Sequence, residues 1–404
     1  MEWSGSFCNR RARSAECDGC RRVKAPLSNG TVRTLDRDPC DRHRVAMAAF
    51  DPHALVTSRH DLVSEGWSSS RIDRALTAGT LRRLHDGVYL DVERTNAGSR
   101  NEHWLAVLGG HCARDPGRVL VSHRSAAVLH GFDGFNHLAG FDLVSPRYVR
   151  RPTDVLGLPV DVRVPFASGF CEAPAIRSRS FDELVTAKVH WLPVTSIAQT
   201  LADIGRFAPV DLVEVALESA LRAVAPARPD EWNRLLLDEL SQFVKAHSHD
   251  RQRSTATLRR ALSLRRGDRP TGSYPETVLA QELRRLGLTP RRQPTVQFFT
   301  ASGVLERRLF PDLGDLNRGA FVEVEGMEGH SSAAQLEHDA DRINLLSSVF
   351  TVRRFAARSI LRNPRDVARS IDAWLKQLPL YPAEWSTAFG RIVRTSEGLD
   401  IFQR

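Results

Sequence analysis

The residues from Val304 to Phe355 constrain this chain more than any others, because they alternate apolar and polar side chains and set carboxylates among them. Arg308-Leu309-Phe310-Pro311-Asp312 and Phe321-Val322-Glu323-Val324-Glu325-Gly326, joined by the turn-prone Gly314-Asp315-Leu316-Asn317-Arg318-Gly319, read as an antiparallel hairpin. Side chains along a strand alternate between faces, so Glu323 and Glu325 share one face and Val322 and Val324 take the other. The hairpin can then bring Asp312 close to Glu323. A solvated rim would also carry these carboxylates, but Glu323 stands in an otherwise apolar strand, where an unpaired charge is costly. Hard cations take oxygen ligands and keep some of their waters, so such a cluster suits Mg2+ or Mn2+ and the activation of a water. His330 follows the second strand. Ser331-Ser332 opens a predicted helix that sets Asp339 and Arg342 one turn apart on one face, either as a surface ion pair or as part of a site. Thr351-Val352-Arg353-Arg354-Phe355 is the strand expected to close the unit.

Upstream, Ser273-Tyr274-Pro275-Glu276 has the pattern of a capping box, with the Ser273 hydroxyl on an orphan N–H and Glu276 reaching back. A C-terminal unit is therefore expected over 273–378, with 379–404, polar and bearing Pro and Gly, as a tail. Residues 246–272 shift to His, Ser and Arg and read as a linker holding one short helix, Thr255 to Leu264.

The N-terminal half carries a second pattern. Thr57-Ser58 caps a short helix, Gly66 breaks it, and Ser68-Ser69-Ser70 starts another that ends at Gly79. Leu81 to Leu90 reads as a hairpin turning at Asp86-Gly87. Two helices, a tight turn and a hairpin suggest a winged helix-turn-helix over 47–95, with Arg71 and Arg74 on the reading helix and Arg82 and Arg83 within reach of phosphates. Packing against a neighbour with solvated arginines is the other reading. Residues 96–245 form a mixed α/β stretch: Val119-Leu120-Val121 precedes a capped helix over Ser122 to Gly131, strands follow around Gly140-Val144 and Val160-Val164, Leu192-Ser196 leads into a helix over 197–204, and another helix covers 211–224. His123, Arg124 and His130 resemble site residues, but histidines near a helix start more often cap or pack.

Residues 1–46 are polar, Arg-rich and weakly patterned, and translation is expected to begin at Met47. Cys17-x2-Cys20 with Cys40-x2-His43 has zinc-site spacing, yet almost no apolar residues surround it, and an unstructured extension is the expectation. Cys112 and Cys171 read as core thiols. The chain has no run of eighteen apolar residues and no signal-peptide hydrophobic region, which excludes a membrane-spanning helix and makes a cytoplasmic protein the expectation. A net charge of +9 favours a polyanionic partner, although arginine's excess over lysine also fits coding bias.

Taken in order, Asp312, Glu323-Val-Glu325-Gly, His330, Asp339-Ala-Asp-Arg342 and Val352-Arg-Arg-Phe355 resemble the restriction-endonuclease-like, PD-(D/E)XK, superfamily in the branch of very-short-patch-repair endonucleases. The resemblance covers the last third of the chain. It implies a metal-dependent phosphodiesterase fold acting on DNA, with Asp312, Glu323 and Glu276 on Mg2+ or Mn2+, His330 in proton transfer, and Asp339 and Arg342 shaping the site. The superfamily usually has lysine two residues after the metal-binding glutamate, where this chain has Glu325. The branch commonly places Asp there, so water activation would fall to the metal, His330 or a carboxylate. Residues 47–245 resemble AbiEi-type antitoxins, which implies DNA binding and a cognate toxin partner. The fold class expected is α/β multidomain: a winged helix, a mixed α/β middle domain and an endonuclease-like α/β domain. Two functions follow: a DNA-binding, metal-dependent endonuclease in defence or repair, or a non-enzymatic, antitoxin-like regulator with a degenerate nuclease domain.

Overall fold

The chain is an α/β multidomain protein in a computed structural model that describes residues 56–85, 87–92, 108–109, 112, 119–135, 142–145, 175–178, 186–189, 192–224, 229–248, 255–265, 268–326 and 333–403. Cys17, Cys20, Cys40, His43, Asp86, Cys171, His330 and the strand expected at Val160-Val164 lie outside the described residues.

The first unit runs β1 (Val56–Ser58), α1 (Arg59–Ser64), α2 (Ser69–Ala78), β2 (Leu81–His85) and β3 (Val88–Asp91), its strands ordered β1-β3-β2. Ser58 caps α1 in a reciprocal box: its Oγ accepts from the Asp61 N–H at 3.0 Å, and Asp61 Oδ2 accepts from the Ser58 N–H at 3.2 Å. Ser68 caps α2, and Gly79, at φ 75°, closes it in the left-handed region. Leu62, Ile72, Leu81 and Tyr89 form the core, which leaves the opposite face of α2 to solvent. Two capped helices followed by a β2-β3 hairpin stand where the capping pattern led us to expect them.

In the middle unit, β4 (Leu120–Val121), β5 (Asp142–Ser145), β6 (Ala175–Ser178), β7 (Thr186–Val189) and β8 (Leu192–Thr195) make a mixed sheet ordered β6-β5-β4-β8-β7. Helix α3 (His123–Leu129) follows β4, and α4 (Ile197–Ile204) follows β8. Helices α5 (Val210–Val224), α6 (Pro229–Ala246) and α7 (Ala256–Leu264) pack with α4 around Leu201, Leu217, Leu221, Leu240 and Leu258. Cys112 is buried, and burial pushes its thiol up to about 12, as befits an inert core residue.

The expected linker is a correction. Helix α7 buries Leu258 and Ala261 in the helical core, and Arg265, Asp268 and Thr271 behind it are buried as well. Their polar composition suggested a spacer because ion pairing, not apolar contact, is what buries them.

The C-terminal unit has two sheets. Strands β9 (Arg291–Arg292), β12 (Leu313–Asp315), β13 (Ala320–Glu325) and β14 (Thr351–Ala356) form one, ordered β14-β13-β12-β9, with β13 and β14 parallel. Strands β10 (Thr295–Phe299), β11 (Leu305–Leu309), β15 (Glu384–Ser386), β16 (Gly390–Arg394) and β17 (Gly398–Gln403) form the other, ordered β11-β10-β17-β16-β15. Two expectations change here. The hairpin partner of β13 is the short β12, turning at 316–319, whereas Arg308 and Leu309 belong to β11 in the other sheet. The expected tail supplies three strands, and Leu399 and Ile401 reach the core.

Strand β13 is sandwiched. Ala320 and Val322 face α8 (Tyr274–Arg285), α10 (Ala357–Arg362) and α11 (Pro364–Leu375), while Phe321 packs with Leu346 of α9 (Ala333–Val349), Phe350 and the second sheet.

The middle and C-terminal units are joined by buried ions. Glu214 and Glu218, one turn apart on α5, are both 0% exposed. Glu218 Oε1 accepts from Arg265 Nε and from Arg292, each at 2.9 Å, and its Oε2 accepts from the Thr271 N–H at 3.0 Å. Glu214 takes Arg284 at 3.0 and 2.7 Å, Gln281 at 3.1 Å, and Arg292. Burial works against the charge of Glu214, but the guanidiniums of Arg284 and Arg292 outweigh it and hold its carboxyl below the usual range. Removing one member of such a cluster leaves the others charged and uncompensated. Glu218→Ala is therefore expected to cost about 3–5 kcal/mol of stability, read from the midpoint of urea unfolding at constant m-value; a loss under about 1 kcal/mol would refute the cluster's importance.

Candidate functional site: a carboxylate cluster at the end of β13

Four segments of the C-terminal unit meet beside the end of β13. Leu313 faces both Val322 and Arg292 across antiparallel pairs, so Asp312, one residue earlier, lies beside Glu323 on one side and Gln293 on the other. Helix α8 presents Glu276 from its first turn. Register, rather than the tip of a hairpin, brings these residues together.

Each carboxylate is held by named donors. Asp312 Oδ2 accepts from the Val324 N–H at 2.7 Å, and Oδ1 accepts from Gln293 Nε2 at 3.0 Å. Glu276 Oε2 accepts from the Gly272 N–H at 2.6 Å and from Gln293 Nε2 at 3.0 Å, and Oε1 accepts from Ser273 Oγ at 2.7 Å. Arg342, from α9, grips both oxygens of Glu323 at 3.2 and 2.8 Å. The capping box expected at Ser273 is not formed: the Ser273 hydroxyl caps no helix N–H but donates to Glu276, and Glu276 reaches back to Gly272 rather than to the Ser273 N–H. Gly272 permits the approach, since a Cβ there would lie 3.0 Å from Glu276 Oε1 and 3.3 Å from Gln293 Nε2.

Burial and crowding change the protonation of the cluster. Glu276 and Glu323 are 4% and 3% exposed. Burial first, and then the charge of Asp312, pushes each of them up to about 7, although Arg342 works the other way on Glu323. Asp312 is also raised, by burial. All three are hard oxygen donors, and a carboxyl that titrates near neutrality can give up its proton to an incoming cation, so the donor set fits Mg2+ or Mn2+. Among the described residues no group of three His, Cys, Asp or Glu is gathered closely enough to hold an ion as it stands. Gln293 and Arg342 donate to oxygens on all three carboxylates.

Other expected residues fall in different places. Glu325 is half exposed and pairs with Arg354 Nε at 2.9 Å on β14, away from the Asp312 and Glu276 contacts. Asp339 is exposed and acts on Arg342 through its charge. In the middle unit, His130 Nε2 donates to the Thr195 carbonyl at 2.8 Å, and burial lowers its pKa, so it is a neutral structural imidazole. His123 is buried against Phe207, with Nδ1 2.9 Å from Ser122 Oγ, and Arg124 lies over the same ring at 5.8 Å. In the first unit, Arg71, Arg74, Arg82 and Arg83 are exposed, and the Arg71 guanidinium stacks 3.9 Å from the centre of the Trp67 ring.

Sequence reasoning missed Gln293. Its signal was available in Pro290-Arg291-Arg292-Gln293-Pro294, where an uncharged residue breaks a basic run, but no periodicity pointed to it.

No family model matches the chain, and no curated protein matches it. Among solved structures it is similar to the crystal structure of the RV2827C protein from Mycobacterium tuberculosis, with 13% identity, a TM-score of 0.34, and coverage of 60% of this chain and 78% of that one.

The raised carboxyls carry a sign. A carboxyl whose folded pKa lies above its unfolded value, about 4.3 for Glu, adds stability that is fully present below that value and is lost as pH rises toward about 7. In EDTA the unfolding free energy is expected to fall between about pH 4.5 and 7.5, and Glu276→Gln, which stays neutral, should flatten that slope. A wild-type profile that rises across this window would contradict the assignment.

Proposed function

We propose that this chain is a DNA-binding protein whose C-terminal unit hydrolyses phosphodiester bonds with Mg2+ or Mn2+. The observation that carries the reading is the convergence of buried Glu276 and Glu323 with half-buried Asp312, all with raised pKa values, at the end of one strand. Bound there, a divalent cation supplies Lewis-acid polarisation of a phosphate and lowers the pKa of a water. The protein's own residues would do the rest. Glu276 and Asp312 provide oxygens facing a common amide, and Asp312 is oriented by the Val324 N–H. Arg342 balances the charge of Glu323 and can turn its guanidinium toward a phosphate, which suits that planar fork. With no lysine at position 325, the proton of the attacking water would pass to a carboxylate that titrates near neutrality, or to His330.

The first unit would deliver DNA. Exposed Arg71 and Arg74 on α2 and Arg82 and Arg83 on β2 are placed as a reading helix and wing would place them. The resemblances to PD-(D/E)XK endonucleases and to AbiEi-type antitoxins point the same way, toward a role in defence or repair.

A second reading is a non-enzymatic regulator of the AbiEi kind, with a cognate toxin as partner. What favours it is that Glu323 is fully engaged by Arg342 and that Glu325, in the lysine position, is tied to Arg354.

Cleavage of plasmid DNA with Mg2+ or Mn2+ separates the two. Wild-type protein is expected to cut, and Asp312→Ala and Glu323→Ala to lose at least about a hundredfold in rate, the scale of removing one strong electrostatic contact. A folded wild type that binds DNA and cuts nothing would favour the regulator. For the first unit, replacing Arg71 and Arg74 together by Ala should lower the slope of log affinity against log salt by about 2, measured by fluorescence anisotropy on duplex DNA. An unchanged slope would remove these residues from the interface.

A further inference from the structure

Gln293 occupies an unusual position in the backbone. Its φ is 45°, a left-handed conformation that residues with a Cβ seldom take. It is also the residue at which the chain leaves one sheet, at β9, and enters the other, at β10. Its neighbours leave little freedom. The Gln293 N–H donates to the Asp312 carbonyl at 2.9 Å, Pro294 follows, and Arg292 before it is buried and locked to Glu214 and Glu218 from the middle unit.

This backbone posture aims one side-chain nitrogen between two carboxylates, 3.0 Å from Glu276 Oε2 and 3.0 Å from Asp312 Oδ1. A carboxylate oxygen has two lone-pair sites. On Glu276 Oε2 the Gly272 N–H and the Gln293 amide already use both. A cation can reach that oxygen only by displacing a donor, and of the two the side-chain amide is the one free to rotate. The amide N–H2 group thus does in part what a cation would do: it brings positive partial charge between two acids that repel each other.

We infer that Gln293 is a positioning residue whose amide takes the seat between Glu276 and Asp312 and holds the pair in register until a divalent cation displaces it. The inference rests on the cation reading of the site given above. The seat is also tied to the rest of the molecule, because Arg292, the residue before Gln293, is anchored on α5.

The test is Mn2+ binding to the full chain by titration calorimetry, with wild type, Gln293→Ala and Gln293→Gly. Glycine suits the positive φ, so the second variant keeps the backbone if alanine does not fold. Removing a competitor should tighten the Mn2+ dissociation constant at least threefold in either folded variant. In EDTA at pH 8, where the acids are charged, the same variants should unfold at a lower Tm than wild type, because the pair loses its shared donor. Weaker binding in the variants would make Gln293 a ligand and overturn the inference, and so would unchanged affinity in variants while wild type binds. If neither wild type nor variants bind Mn2+, the cation reading itself fails and takes the seat with it, an outcome distinct from a wild type that binds and variants that bind no tighter.

Discussion

Arg292 is the residue on which the arrangement of the two larger units depends. A guanidinium 5% exposed can remain charged there only because Glu214 and Glu218, on adjacent turns of α5, meet it with their carboxylates. Burial alone would disfavour its charge, but the two glutamates reverse the balance and raise its pKa. The same two carboxylates also hold Arg265 and Arg284, so α5 binds the end of the segment behind α7, helix α8 and strand β9 at once. Ion pairs of this kind contribute little net stability relative to an apolar contact, but they are directional, and a directional joint fixes register where an apolar one would tolerate sliding.

That register has a chemical result. Strand β9 is two residues long and would be a weak element by itself. With Arg291 on Asp268 and Arg292 on α5, both of its side chains are pinned outside the sheet, and the chain emerges at Gln293 in a conformation it would not otherwise prefer. The carboxylates of Glu276 and Asp312 then meet across its amide. In this way a contact between units determines the geometry of a cluster that belongs to one of them.

How much of this could be read in the sequence depended on the kind of force involved. The helices of the first unit were legible nearly to the residue, because Ser58, Ser68, Gly66 and Gly79 act on backbone groups a few positions away. Glu323 was legible as a buried charge because apolar neighbours surround it on its own strand. The partner of β13 was misjudged, since Gly314 and Asp315 look like turn residues and yet pair with Phe321 and Ala320. Gly314 serves packing here: a Cβ would lie 2.7 Å from the Phe321 ring. The 246–272 stretch and the final strands were misread for a shared reason. Arginines and acids that find partners far away in sequence have the same local composition as solvated ones.

The two glutamates at about 7 follow from the same logic of distant partners. Neither Ser273-Tyr-Pro-Glu276 nor Phe321-Val-Glu323 carries a local cause for a shifted carboxyl. Each becomes unusual because it is buried and, after that, because Asp312 lies beside it, and Asp312 is there because β12 is hydrogen-bonded on both edges, to β13 and to β9. Mutual repulsion among three acids would open such a cluster. It stays closed because protons, the Gln293 amide, the Val324 N–H and the Arg342 guanidinium share the charge. Those four are also what a divalent cation would have to replace in part, so the features that keep the cluster folded in the absence of an ion are the ones that set how strongly it can take one.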